Sequence, residues 1–194
     1  NSGKNHTDCP QYFTRWNNPW PVGKLNILCH RTAVAIDRHV FHDIDIIERI
    51  EESNDGVLIT YIHFPLVICL NQDCDLNSDN RDKQKEGSNK DCQLLHLIVA
   101  PLFNFDVFKQ GEHWGDIFQT SQQYNPKKTD GKKIMNNEDP RFHFLHFEDG
   151  FKLPDMVVDF KHFYTINTDY LYQNIDKRVC SLSELYREKL SQRY

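Results

Sequence analysis

The sequence predicts a mainly β protein with helices (α+β): a small, strongly curved β-barrel or partly open sheet, with long loop insertions and a C-terminal helix. Three observations predict it. Short apolar or aromatic runs recur at Val57–Tyr61, Leu66–Leu70, Leu94–Val99, Arg141–Phe147 and Met156–Tyr164. Long polar stretches separate some of these runs, and a segment with helical spacing closes the chain. At 194 residues the chain is expected to form one domain with appendages. Residues 1–23 read as an N-terminal arm and 24–194 as a single barrel-like domain, with insertions at 77–91 and 119–140.

Composition narrows the classes. A hydrophobic fraction of 39% and a mean hydropathy of −0.67 imply a core smaller than the length suggests. The net charge of −5 argues against tight nonspecific nucleic-acid binding over the whole surface. Ten histidines make that charge sensitive to pH below about 6.5. No apolar run reaches the ~20 residues that span a bilayer, and no secretory leader is visible. The six scattered cysteines suit reduced thiols in a cytoplasmic protein better than a disulfide scaffold.

The arm carries Tyr12, Phe13, Trp16 and Trp20, which suit anchors onto the domain or onto a partner. Leu25 to Arg31 suits a strand. Thr32 to Glu52 fits neither period: Ile44-Asp45-Ile46 alternates, while Ile46, Ile47 and Ile50 suit a helix. Asn54-Asp55-Gly56 is a turn, because glycine accepts the positive φ such turns need. Val57–Tyr61 and Leu66–Leu70 read as two strands with a bend, bulge or strand start at Pro65, which has no N–H for a ladder.

Leu76 to Asp91 has no apolar residue after Leu76 and reads as a mobile charged loop. Leu94–Val99 reads as a buried central strand ending at Pro101. Phe105–Phe118 suits a helix weakened by Gly111 and Gly115. Ser121–Pro140 reads as an exposed loop, Arg141–Phe147 and Met156–Tyr164 as strands, and Glu148-Asp149-Gly150 as a turn. Beyond Ser181–Ser183, the residues Leu182, Leu185, Tyr186 and Leu190 follow helical spacing, with Glu184 early and Arg187 and Lys189 late.

Several groups are candidates for chemistry. Asp73, Asp75, Asn77 and Asp79 alternate as in an EF-hand, but Ser78 and Gln84 stand where that loop needs Gly and Glu. Cys74 and Asp75, just past a strand end, suit a catalytic or ligand-binding pair; the structural alternative is that Asp75 caps the turn. Cys69, Cys74, Cys92 and His96 have spacings too loose for a zinc knuckle. His143 and His146 fall on opposite faces of a strand, and His39 and His42 meet a shared metal only on a helix. No metal or cofactor is expected. Lys127, Lys128, Lys132 and Lys133 suit a solvated loop or, with Tyr124, a phosphate backbone. No P-loop, GxSxG or dinucleotide fingerprint is present.

Short motifs resemble the MazF/PemK/Kid-like family, small SH3-like barrels known as ribonuclease toxins of toxin–antitoxin pairs. They are Phe64-Pro65-Leu66-Val67-Ile68, Leu97-Ile98-Val99-Ala100-Pro101-Leu102, and Val157 to Ile166 with Lys177 to Ser183. The run Gln72-Asp73-Cys74-Asp75-Leu76 is similar to an "SQxCDL" signature of uncharacterised bacterial and prophage-encoded proteins. The resemblance implies an SH3-like barrel. It does not carry the family's chemistry, because the catalytic arginine before proline is Phe64 and the expected hydroxyl residue after Pro-Leu is Phe103.

Three functions follow as expectations. The first is a bacterial toxin-like or phage-defence-associated protein that binds RNA or a protein partner such as an antitoxin. As an endoribonuclease it would rely on His63 or Asp75 as general base, Cys74 beside it, and Gln72 and the lysines for binding. The second is a non-catalytic interaction subunit of a larger bacterial complex, using the arm and the Ser183–Tyr194 helix. The third is a metal-dependent hydrolase. A homodimer is compatible with each; a membrane role is not expected.

Overall fold

The computed structural model describes residues 13–14, 39–54, 56–87, 90–114, 131–147, 153–182, 188–190 and 192–193. The Leu25–Arg31 strand, most of the arm, and the Glu148–Gly150 turn lie outside them.

The elements are β1 (Phe13–Thr14), β2 (His39–Ser53), β3 (Gly56–Cys69), α1 (Asp73–Gln84), β4 (His96–Asn104), α2 (Phe105–Gln110), α3 (Gly131–Met135), β5 (Phe142–Leu145), β6 (Met156–Asp159), β7 (Tyr164–Asn167), α4 (Thr168–Gln173) and β8 (Arg178–Ser181). The protein is mainly β with a few short helices. The strand path runs β5-β6-β4-β3-β2-β8, with β7 also on β4 and β1 on β3. All pairings are antiparallel except β1 with β3. The path does not close on itself among the described residues, so the partly open sheet is the form observed.

The long β2–β3 hairpin dominates. Ser53 pairs with Gly56 at the hairpin's far end, and Gly56 has φ +138, a conformation open to glycine. The ambiguous stretch before it is therefore strand from His39 onward. Its mixed periodicity has a physical cause: the register shifts between Ile47 and Arg49, which leaves Glu48 as a bulge and interrupts the period of two.

Pro65 does not split the strand, as the sequence suggested it would; β3 is continuous through it. Three features accommodate the missing N–H. Pro65 falls opposite Asp43, where the ladder skips a pair, and Asp43 adopts φ +53. On its other edge β3 pairs with β1 at Tyr61–Ile62 and with β4 at Val67–Cys69, so Pro65 lies between partners. Of the expected bend, bulge or strand start, what the packing shows is a change of face. Ile44, Ile46, Ile62 and Phe64 share one core cluster with Phe41, Val67 and Cys69. Residues of even number thus give way to odd ones in both strands at this level.

Proline also fails to end β4, which continues through Pro101 to Asn104. Strand β4 is central: its start pairs with β7, its middle with β3, and its end with β6. Met156–Tyr164 is two strands, β6 and β7, separated at Phe160–Phe163. Helix α2 stops at Gly111, at φ +80, after Asn104 caps its start through the Asp106 and Val107 N–H groups. Within the expected 119–140 insertion, α3 buries Ile134 against Phe103, Phe105, Phe108, Phe142, Phe144 and Val157. Residues 188–190 are helical, consistent with the expected C-terminal helix. Leu190 packs with Val40, Ile68 and Val179. Arg193 donates to the carbonyls of Asn137, Asp139 and Phe142. No helix among the described residues is long and apolar enough to cross a membrane.

Candidate functional site

The Gln72–Leu76 run starts a helix and is not followed by a mobile loop. Helix α1 has no apolar stripe, which hid it in the sequence. Its charges follow the helix dipole, with Arg81 and Lys83 in the last turn. One face is buried through Leu76 and Asp79, three residues apart. Asp79 is 0% exposed. Its carboxylate accepts the Leu94 N–H at 2.7 Å and the Tyr172 hydroxyl at 3.1 Å. Lys83 lies 3.4 Å from Asp79 and 2.8 Å from Asp169, with its ammonium over the Tyr172 ring. Burial, with Asp79 beside it, pushes the Tyr172 phenol above its usual range. Asp79 is therefore a structural knot between α1, the approach to β4 and α4.

Cys74 and Asp75 are exposed on the first turn of α1. The Cys74 thiol approaches Asp75 at 3.5 Å and Gln72 at 3.6 Å. His63 is elsewhere. Strand spacing puts it about 20 Å along β3 from Cys69, where the strand ends. It pairs across the hairpin with Asp45, Nδ1 to Oδ1 at 2.7 Å, and its Nε2 lies 3.6 Å from Asp43. His42 also contacts Asp43, at 2.9 Å, and Lys177 donates to the Asp43 carbonyl at 3.0 Å. His63 and the Cys74–Asp75 pair thus have separate sets of contacts. Lys132 and Lys133 are exposed on α3; Lys127 and Lys128 lie outside the described residues.

The described candidate metal ligands are placed as follows. Cys69 and Cys180 are buried and Cys74 is exposed. His39 and His42 lie on a strand, and His143 is buried while His146 is exposed and contacts Asp155 at 2.7 Å. No group of three or more metal-ligating side chains is assembled among the described residues.

A second cluster escaped the sequence reading because its members are far apart in the chain. Asp159, 0% exposed at the end of β6, receives a two-pronged bond from Arg141, at 2.9 and 2.5 Å. It also accepts the Lys161 N–H at 3.0 Å. His162 lies 3.9 Å from Asp159, with the Trp114 ring 4.5 Å from its own. His113 is 7% exposed among Phe103, Phe108 and Trp114, and its Nδ1 has no partner. Burial lowers the His113 imidazole to about 4 despite the opposing pull of Asp159; burial also lowers His162. Burial thus disfavours the charged form of both imidazoles, beside a salt bridge that ties the start of β5 to the end of β6.

The third feature is a surface. Cross-strand partners share a face, and the pairs Ile47–Tyr61, Ile50–Ile59 and Glu52–Val57 put five apolar side chains together on the hairpin. The Glu48 bulge brings Ile47 and Ile50 onto the same side. Ile47 is 52% exposed, Ile50 58% and Val57 44%. The pair His63–Asp45 continues that face toward the bend.

No protein-family profile, curated protein or solved structure matches the chain.

Proposed function

We propose that the chain works by holding a protein partner, as a toxin-like or phage-defence-associated binding protein, and that the β2–β3 hairpin is its working surface. One observation carries this reading: Ile47, Ile50 and Val57 are exposed together on one face of a long hairpin, an arrangement typical of interaction surfaces. His63 and the Cys74–Asp75 pair are placed apart, so a ribonuclease of the expected kind would take its base from one place or the other, not from both. The toxin-like placement rests on the short motifs. The stretches that carry the resemblance lie on β3, β4, β6–β7 and β8 of one sheet; β4 touches β3, β6 and β7, and β2 stands between β3 and β8. The SH3-like character of the sheet belongs to the same proposal.

The test is co-expression with the products of neighbouring genes, followed by size-exclusion chromatography and an RNA cleavage assay. A stable complex without cleavage is expected. Cleavage that disappears in Cys74→Ala or Asp75→Ala would overturn the reading. The second reading, a ribonuclease, is favoured by the His113–His162–Arg141–Asp159 cluster. It predicts cleavage that survives the Cys74 and Asp75 changes and is lost in His162→Ala.

A further inference from the structure

We infer that the outer edge of β2 takes an extended, cationic and apolar peptide segment from its partner, added as a further strand. The inference rests on the proposed partner-binding function and names that partner's chemistry.

Two observations converge on this edge. The first is geometric. Strand β2 pairs with β3 along one side, while on the other β8 covers only His39–Phe41 and Lys177 then caps the Asp43 carbonyl. From Asp45 to Glu52 no strand pairs with that side among the described residues. An open edge offers alternating N–H and C=O groups to an incoming chain. Ile47 and Ile50 stand beside it and would contact alternate side chains of an added strand.

The second is electrostatic. Between residues 42 and 53, β2 carries Asp43, Asp45, Glu48, Glu51 and Glu52 against Arg49 alone: five carboxylates and one guanidinium, net −4 with His neutral. The whole chain is −5. Most of the protein's net charge is thus concentrated on this one strand. An antiparallel second copy of β2 would bring carboxylates opposite carboxylates, which destabilises a sheet. A nucleic-acid backbone is repelled for the same reason. Alternating Lys or Arg with β-branched residues satisfies both the edge and the charge.

The experiment uses the full chain and a labelled probe peptide of alternating Lys and Val, eight residues or so in length, read by fluorescence anisotropy. The comparison peptides are an alternating Glu-Val sequence and the Lys-Val sequence with every second backbone nitrogen methylated. The cationic peptide is expected to bind, and both comparison peptides to bind at least tenfold more weakly. Glu51→Lys and Ile50→Lys are each expected to weaken the cationic peptide tenfold or more, with circular dichroism confirming that the variants fold. No binding of the cationic peptide, binding indifferent to methylation, or binding unchanged in Ile50→Lys overturns the inference. A concentration-dependent homodimer that Ile50→Lys dissolves also overturns it, in favour of a second copy. The two proposals fail separately. A co-expressed complex that survives Ile50→Lys and Glu51→Lys removes this site but leaves the partner-binding function. RNA cleavage dependent on Cys74 or Asp75 removes the function whatever the peptide does.

Discussion

Acid sensitivity is the most quantitative consequence of the packing. His143 on β5 is 1% exposed, and neither ring nitrogen has a hydrogen-bond partner. Burial, reinforced by the nearby Arg193 and Lys189 charges, lowers its imidazole to about 4. His113 is lowered to about 4 mainly by burial. In the unfolded chain both titrate near 6.5. The sign follows from proton binding: between pH 6.5 and 4 the unfolded chain holds protons that the folded one refuses. Stability from these groups is intact above pH 6.5 and falls as the pH drops toward 4. At pH 5 each imidazole costs about 2 kcal/mol, and the two together about 4 kcal/mol. That is a large share of a typical domain's 5–15 kcal/mol.

The assay is urea unfolding followed by circular dichroism at pH 7.5 and 5.0, for the wild type, His143→Phe and His113→Phe. Phenylalanine fills a comparable apolar space and does not titrate. Any packing cost it brings is present at both pH values and cancels in the difference. Each variant is expected to lose about 2 kcal/mol less than the wild type between the two pH values. Carboxylates titrate in all three proteins and drop out of the comparison. An identical loss in wild type and both variants would refute the argument that these imidazoles are held neutral.

Two other interactions can be tested by the same unfolding measurement. Asp79→Ala strands the Leu94 N–H and the Tyr172 hydroxyl; a loss of about 3 kcal/mol is expected, and a loss under 1 kcal/mol would show that α1 does not depend on this knot. Arg141→Ala leaves the Asp159 charge buried without its partner and is expected to cost about 3–5 kcal/mol. Arg141→Met combined with Asp159→Leu should recover much of that; a double variant as unstable as the single one would refute the stranded-charge account.

The β content was legible because apolar runs of strand length recur whatever their partners. Boundaries were less legible where local chemistry conflicts with the final pairing. Pro65 and Pro101 read as strand ends because proline lacks a donor. That lack has no consequence for Pro65 where the neighbouring strands leave a gap, which only the register shows. Helix α1 was missed for a different reason. Its buried face is one leucine and one aspartate, and the aspartate's partners, Leu94 and Tyr172, are 15 and 93 residues away. The candidate site divides in the same way. His63, Cys74 and Asp75 could be named from local context, but their separation along β3 could not. The Arg141–Asp159 pair and His113 have no local signature. The apolar face of the hairpin was hidden because the Glu48 bulge moves Ile50 onto the side of Ile47.

At Asp43 and Pro65 the hairpin changes the face it turns to the core, from Phe41, Val67 and Cys69 to Ile44, Ile46, Ile62 and Phe64, and one residue can be assigned to set that change. Proline fixes its own φ near −65°, which a strand tolerates, so Pro65 permits the change of face without imposing it. Asp43 has φ +53, a left-handed conformation that costs a residue with a Cβ roughly 1 kcal/mol. Its ties to His42, His63 and Lys177 hold it there. Asp43→Ala and Asp43→Gly both remove the carboxylate contacts, so their difference reads the backbone alone. If Asp43 carries the strain, the glycine variant is the more stable by about 1 kcal/mol. If alanine is as stable as glycine, the left-handed turn is not what sets the change of face, and the packing of Phe41 and Val67 against the core must hold it instead.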